Sequence, residues 1–412
     1  MRILFIADNF PPEVNAPATR TFEHCREWIK FGADITVITC APNFPQGKIY
    51  SGYRNNVYSH EKIDGIKVIR VWTYITRNEG FLKRTLDYLS FGATSFIAGL
   101  FFKADIIIAT SPQFFTTWAA FGLSKLKRVP WVFELRDLWP ESIRSVGAMS
   151  GNKIFDFLER IELFLYRNAN MVIALTDAFK RNLISRRIEE KKIRVVTNGS
   201  NIDLFKPQRK DPDLLGQLGL NGKFVVGYIG THGMAHGLEF IVDSISDIID
   251  EEIYFLFIGD GAKKKDVVER AERLGLKRVT FLSPVAKEEV PRYLSVVDVM
   301  LVPLKKSETF KTVIPSKIFE AAAMQKPILL GVEGQAQEIV EKYNAGLCFE
   351  PENRKDFLDK ITRLKSDSLL YRGLQGGCKD LAADYDRRQL ARKMYLYLQE
   401  AAEKNIREKE LI

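Results

Sequence analysis

A chain of 412 residues is long enough for two domains, each with its own core. Hydrophobic residues at 46% and charged residues at 27% match ordinary globular usage and exclude a disordered chain. The four cysteines, Cys25, Cys40, Cys348 and Cys378, have no C-x-x-C spacing, which argues against a disulfide framework or zinc site and for a reduced, cytoplasmic protein. The net charge of +9 is uneven: residues 1–205 hold 28 Lys and Arg against 20 Asp and Glu, the remainder 33 against 32. A basic half beside a neutral half suits an anionic partner such as membrane headgroups, a phosphorylated lipid or nucleic acid; scattered solubilising lysines are the alternative.

In chain order, Met1 leads at once into a strand pattern without a signal-peptide profile, so export is not expected. Short apolar runs at 3–7, 35–39, 66–72, 106–109, 131–135, 172–175 and 193–196 alternate with helical patterns. The plan repeats at 224–229, 253–258, 279–282, 299–302, 328–330 and 346–349. Strands alternating with helices predict parallel sheets covered by helices, an α/β fold of two similar domains. Residues 205–213 are polar, carry two prolines and lack periodicity, as a linker should, and divide 1–205 from 206–385. The remaining segment, 386–412, contains a helical run long enough to cross back to the first domain. Because open parallel sheets bind ligands outside the carboxyl ends of their strands, the active site is expected in a cleft between two facing domains.

Several loops fall at such strand ends. Residues 8–20 form a long proline-bearing loop that opens a helix and carries Glu13, Asn15 and Arg20. Residues 134–141 place Arg136, Asp137 and Glu141 after another strand. Both loops suit a cleft, or equally a solvated charged surface. Residues 81–102 mix a basic start, Lys83 and Arg84, with many apolar residues; an interfacial helix and a core helix both fit, while Asp87 argues against a spanning one.

In the second half, Gly230-Thr-His-Gly-Met-Ala-His-Gly237 links a strand to an amphipathic run. Gly230, Gly233 and Gly237 permit close backbone approach to a ligand, and His232 and His236 can donate to phosphate or sugar oxygens; a tight turn with solvated histidines is the alternative. Gly259 and Asp260, and then Leu282, end the next two strands, where a base or ribose would rest. The stretch 313–330 predicts a helix with Pro315 at its first position and Ser316 and Lys317 in its first turn, a favourable place for a nucleotide diphosphate. Glu320, one turn on, can accept hydrogen bonds from two ribose hydroxyls; an ordinary helix cap and a surface glutamate fit as well.

With Asn198-Gly-Ser-Asn-Ile-Asp-Leu-Phe205, Gly259-Asp-Gly261 and Glu320-Ala-Ala-Ala-Met-Gln-Lys-Pro327 in this order, the chain resembles retaining glycosyltransferases of family 4 with the GT-B fold. Pro11-Pro-Glu-Val-Asn-Ala-Pro-Ala-Thr-Arg20, Leu135-Arg-Asp-Leu-Trp-Pro-Glu141, the 230–238 loop and Pro315-Ser-Lys-Ile-Phe-Glu320 look like the WbuB-like subgroup, transferases of N-acetyl-L-fucosamine in O-antigen and capsule assembly. The resemblance implies two Rossmann-like domains, a UDP-sugar donor such as one carrying N-acetyl-L-fucosamine or GlcNAc, and a polyprenyl-diphosphate-linked saccharide acceptor. It further implies no metal, no other cofactor, no nucleic-acid partner, and a peripheral position on an anionic membrane, the inner face of the plasma membrane. Where the family has an arginine and a lysine in its glycine-rich loop, this chain has Thr231 and His236, and Thr312 replaces the first of the family's paired glutamates. Lys317 then becomes the candidate to stabilise the departing diphosphate, and Arg136 and Asp137 stand nearest to the family's first-domain histidine. A nucleotide-sugar epimerase and a non-catalytic sugar-nucleotide-binding partner subunit are the rival readings.

Overall fold

The computed structural model describes residues 1–44, 46–76, 81–111, 114–138 and 152–410. The chain forms two compact units, Met1–Thr197 with Arg388–Ile412, and Asn198–Arg387.

The first unit is built on eight strands: β1 (Arg2–Ile6), β2 (Asp34–Cys40), β3 (Tyr58–Ile63), β4 (Ile66–Val71), β5 (Ile106–Thr110), β6 (Trp131–Leu135), β7 (Met171–Ala174) and β8 (Ile193–Val195). Their order across the sheet is β3-β4-β2-β1-β5-β6-β7-β8, and only β3 runs antiparallel to its neighbour. The central strands are continuous apolar runs because both faces are covered: every residue of β5 and β6 is buried. On one face Leu4, Ile6 and Ile107 meet Phe91, Leu123 and Leu165 from the helices Phe81–Gly99, Phe114–Lys127 and Asn152–Asn168. On the other, Phe5 and Ile108 meet Cys25 and Trp28 of the helix Ala16–Lys30 and Leu390, Met394 and Leu398 of the terminal helix Arg387–Glu410. The Trp28 indole donates to the Ala391 carbonyl at 2.8 Å, which fixes that last helix in register.

Strand β3 has no counterpart among the apolar runs of the sequence, since it alternates exposed and half-buried residues along the sheet edge. A turn of Asp64 and Gly65 joins it to β4, with φ of 48° and 88°. An Asp-Gly pair with both residues left-handed is a two-residue hairpin signal, and it was the legible mark of this strand.

The second unit holds β9 (Phe224–Ile229), β10 (Ile253–Ile258), β11 (Val279–Leu282), β12 (Val299–Pro303), β13 (Ile328–Gly331) and β14 (Gly346–Cys348), all parallel, in the order β11-β10-β9-β12-β13-β14. The chain thus starts in mid-sheet, works outward to β11, then returns to the other side of β9. That reversal opens a crevice at the carboxyl ends of β9 and β12. The stretch expected as an unpatterned linker ends instead in a helix, Pro212–Gln217, because Asp211 caps it by accepting from the Leu214 N–H at 2.9 Å. Among the described residues no helix is long and apolar enough to cross a membrane.

Candidate active site

The crevice of the second unit is lined by the segments that follow β9, β10 and β12. The loop after β9 continues the ladder beyond its last residue: Gly230 N–H donates to the Ile258 carbonyl at 2.9 Å and His232 N–H to the Asp260 carbonyl at 2.8 Å. This close approach requires glycine. A Cβ on Gly259 would lie 1.9 Å from the Gly230 oxygen, and one on Gly261 would lie 2.6 Å from the His232 oxygen, both at positive φ. Gly233 starts the short 3₁₀ turn Met234–His236, and Gly237, at φ 58°, passes the chain into the helix Leu238–Ile245. Asp260 is exposed and accepts from the Gly261 N–H at 2.8 Å. Lys264 bridges the strand ends, donating to the carbonyls of Gly259 at 2.6 Å and Leu282 at 2.8 Å.

Lys317 enters this crevice from the other side of the reversal. The regular helix begins at Lys317, not at Pro315: Pro315 and Ser316 supply the carbonyls that accept from Ile318 and Phe319 in an opening 3₁₀-like turn. The helix Lys317–Ala323 is only two turns long, so the side chain at its start weighs more than the helix dipole. Its Nζ is shielded from solvent, has no hydrogen-bond partner, and lies 3.8 Å from the Tyr228 ring centroid. Burial pushes the ammonium down to about 7, against the pull of Glu320. Both ring nitrogens of fully buried His232, and Nδ1 of His236, also lack partners. Burial, joined by Lys264 and Lys317, lowers His232 to about 4, and burial with Lys317 lowers His236 to about 3, so both imidazoles are neutral at pH 7. Four buried polar atoms gathered around the Tyr228 ring, Lys317 Nζ, the two His232 ring nitrogens and His236 Nδ1, thus have no hydrogen-bond partner among the described residues of the chain, although such atoms are ordinarily satisfied.

Glu320 is already engaged, by the ammonium of Lys287, which also sits 4.7 Å from the Phe205 ring centroid. Sequence reasoning did not single out Lys287, Lys264 or Tyr228, because only the sheet order brings 228, 264, 287 and 317 together. Thr312 donates to the Thr309 carbonyl at 2.8 Å and closes its own 3₁₀ turn.

In the first unit, Glu13 is buried and its Oε1 accepts from the N–H groups of Asn43 and Phe44, both at 2.8 Å. Arg20 is buried too, bonded to Glu134 at 2.8 Å and to the carbonyls of Val196 and Thr197. Both therefore brace loops from beneath. Asn15 caps the helix Ala16–Lys30 by accepting from the Ala18 N–H at 2.9 Å. Arg136 donates to the Pro17 carbonyl at 3.1 Å and its N–H to Ser111 Oγ at 2.9 Å, with Asp137 half-buried beside it. Glu141 lies outside the described residues.

Comparison with known proteins matches both halves. Residues 15–199 match a family model described as a glycosyl transferase 4-like domain, and residues 223–367 one described as glycosyl transferases group 1. The chain is 26% identical over 366 residues to WcaI of Escherichia coli (strain K12), named as a colanic acid biosynthesis glycosyl transferase, covering 86% of this chain and 89% of that one. It is 26% identical over 199 residues to TuaH of Bacillus subtilis (strain 168), named as a teichuronic acid biosynthesis glycosyltransferase, covering 48% and 49%. Among solved structures, Anabaena HepE in complex with UDP-glucose superposes with a TM-score of 0.74 at 20% identity, over 97% of this chain and 100% of that chain. Sucrose-phosphate synthase from Thermosynechococcus elongatus superposes at 0.77 with 18% identity, over 98% and 99%. With a Rossmann-like sheet in each unit and the two family models following one another along most of its length, the chain belongs to the family 4 glycosyltransferases of the GT-B fold.

Proposed function

We propose that this glycosyltransferase moves a sugar, a 2-acetamido or deoxy sugar of the kind the WbuB-like subgroup handles, from a UDP-sugar to a lipid-diphosphate-linked saccharide during O-antigen or capsule polysaccharide assembly. The observation that carries the donor half is the socket of Lys317, His232 and His236 at the Gly230 loop, whose buried nitrogens lack partners. A diphosphate brings the acceptor oxygens and the negative charge that such a socket lacks. The UDP complexes of HepE and the polysaccharide names of WcaI and TuaH support the same reading.

Catalysis in this reading is electrostatic. Lys317 stabilises negative charge as it grows on the leaving diphosphate, neutral His232 and His236 donate from their N–H groups, and no metal or other cofactor is required. Glu320 exchanges Lys287 for the ribose hydroxyls, the chain around Gly259, Asp260 and Leu282 holds the base, and the anomeric configuration is retained. Thr312, in place of a carboxylate, suits a donor sugar that lacks a hydroxyl or carries an acetamido group.

For the acceptor half, the helix Phe81–Gly99 supports a peripheral seat on the cytoplasmic face of an anionic membrane. Its inner face buries Phe91 and Ala98, while Leu86, Leu89 and Ile97 stand 54%, 44% and 56% exposed, with exposed Lys83 and Arg84 at its start. The decisive experiment incubates the full chain with UDP-sugars and a polyprenyl-diphosphate-linked saccharide. Transfer is expected; release of an epimerised UDP-sugar would replace this reading with an epimerase, and UDP binding without turnover with a partner subunit.

A further inference from the structure

Tyr228 is the last buried residue of β9, and packing alone asks no more of it than a phenylalanine: its ring lies 6.0 Å from that of Phe257, and only 1% of the residue is exposed. Its other contacts belong to the crevice. The hydroxyl donates to the Thr231 carbonyl, which ties the glycine loop to the outer end of the ring. His232 and His236 stand 5.5 and 6.1 Å away, centroid to centroid. The Lys317 ammonium rests on the ring's face, 3.8 Å from its centroid. Gly230 makes room for it, since at φ 146° a Cβ there would come within 2.9 Å of Nζ.

An aromatic face carries the negative part of the ring's quadrupole and attracts an ammonium without accepting a conventional hydrogen bond from it. That distinction matters at Nζ, which is shielded from solvent and has no hydrogen-bond partner among the described residues. A carboxylate in the same place would occupy the N–H donors and repel an incoming diphosphate; a ring face fixes the ammonium and leaves its donors open. The phenol stays protonated, because burial pushes it above its ordinary value, so Tyr228 adds no charge of its own.

We propose that Tyr228 is a positioning residue for Lys317: its ring face holds the ammonium ready for the donor's diphosphate, and its hydroxyl locks the glycine loop beside it. The proposal rests on the reading that the nucleotide sugar is held by the second unit. Burial holds Lys317 down to about 7 against the pull of Glu320, so losing the ring's attraction lowers it further. The groups facing Nζ are Glu320 on its own helix, itself paired with Lys287, and His232 and His236 on the loop; Lys264 and Asp260 act on His232 in turn. Both imidazoles are held neutral by burial, at about 4 and about 3, so neither titrates across the Lys317 range.

The test varies the electrostatics of the ring at nearly constant shape. Tyr228→Phe, and full-length protein carrying monofluoro- or trifluorophenylalanine at 228, share one outline while fluorine progressively drains the ring face of negative charge. The Lys317 titration midpoint is read by NMR of lysine isotope-labelled at Cε, its signal assigned by its loss in Lys317→Met, and UDP affinity by calorimetry at pH 8. Tyr228→Phe should keep the wild-type midpoint but bind UDP severalfold more weakly, because the tie to the loop is lost. Trifluorophenylalanine should lower the midpoint by about half to one pH unit below that of Tyr228→Phe, and UDP affinity by a further factor of about three to ten, since the ammonium must be recharged on binding. Monofluorophenylalanine, the second variant should the trifluorinated protein fail to fold, should fall between. Equal midpoints across the series, or wild-type UDP affinity in Tyr228→Phe, would overturn the proposal. Absence of UDP binding by wild type would instead strike the donor reading, and the midpoints would still judge the contact between Tyr228 and Lys317.

Discussion

Lys317 illustrates how a single side chain can be expensive to the fold and, in the proposed mechanism, useful to the reaction. An ammonium buried without an acceptor is held near neutrality, so below pH 7 it carries its charge and above pH 7 it progressively loses it. A diphosphate arriving at Nζ raises that value again, and donor binding at pH 8 should therefore draw a proton from buffer. Calorimetry of UDP binding in HEPES and in Tris should give enthalpies that differ by the buffers' ionisation heats; equal enthalpies would mean that Lys317 does not titrate on binding. For Lys317→Ala, kcat should fall more than donor affinity, by about ten- to a thousandfold, because the charge it meets grows toward the transition state. A raised KM with kcat unchanged would reduce Lys317 to a binding residue. Glu320→Gln should weaken UDP binding by about 1–3 kcal/mol, read by calorimetry, since the charged acceptor proposed for the ribose is lost. The same substitution strips Lys287 of its ion pair, so a lower melting temperature is expected alongside. Unchanged UDP affinity would place the ribose elsewhere.

At the scale of elements, the helix Phe81–Gly99 serves two surfaces at once. Phe91 and Ala98 join the sheet core, Arg84, Asp87 and Tyr88 line a cavity at the carboxyl ends of β1, β2 and β5, and Leu86, Leu89 and Ile97, three and eight residues apart, share one exposed face of the helix. The sequence left an interfacial and a core helix as alternatives; one face of it is core, and the exposed stripe keeps the interfacial reading open to experiment. Each basic residue near an anionic surface is worth about 1 kcal/mol and is screened by salt. Converting Lys83 and Arg84 to glutamate should lower sedimentation with phosphatidylserine vesicles, as should raising the salt concentration. Wild-type sedimentation by the double variant would assign the stripe some role other than a lipid surface.

At the scale of the molecule, the first unit is completed by the last helix, which supplies Leu390, Met394 and Leu398 to a core otherwise built from residues before Thr197. Trp28→Phe removes the indole hydrogen bond to Ala391 and leaves space beside that helix, and should cost about 1–3 kcal/mol in urea denaturation of the full chain. An unchanged midpoint would show that the helix holds its place by apolar contact alone. The α/β class and every buried parallel strand were legible because a strand covered on both faces is an apolar run, whatever it pairs with. The edge strand β3 was not, because one open side lets polar residues alternate, and only Asp64-Gly65 betrayed it. The glycine-rich loop, Lys317 and Glu320 could be read as nucleotide-site candidates from their places after strands. Which of them meet could not. Residues 228 and 317 are distant in the chain, and the order β11-β10-β9-β12-β13-β14 alone lays β9 beside β12 so that Lys317 reaches Tyr228. Asp8 and Asp87 come to one cavity in the same way, across strands that pair without regard to sequence distance. Local chemistry is written in the chain because propensity and periodicity act between near neighbours; burial, orphaned nitrogens and shifted protonation arise only when sheet order has chosen the distant ones.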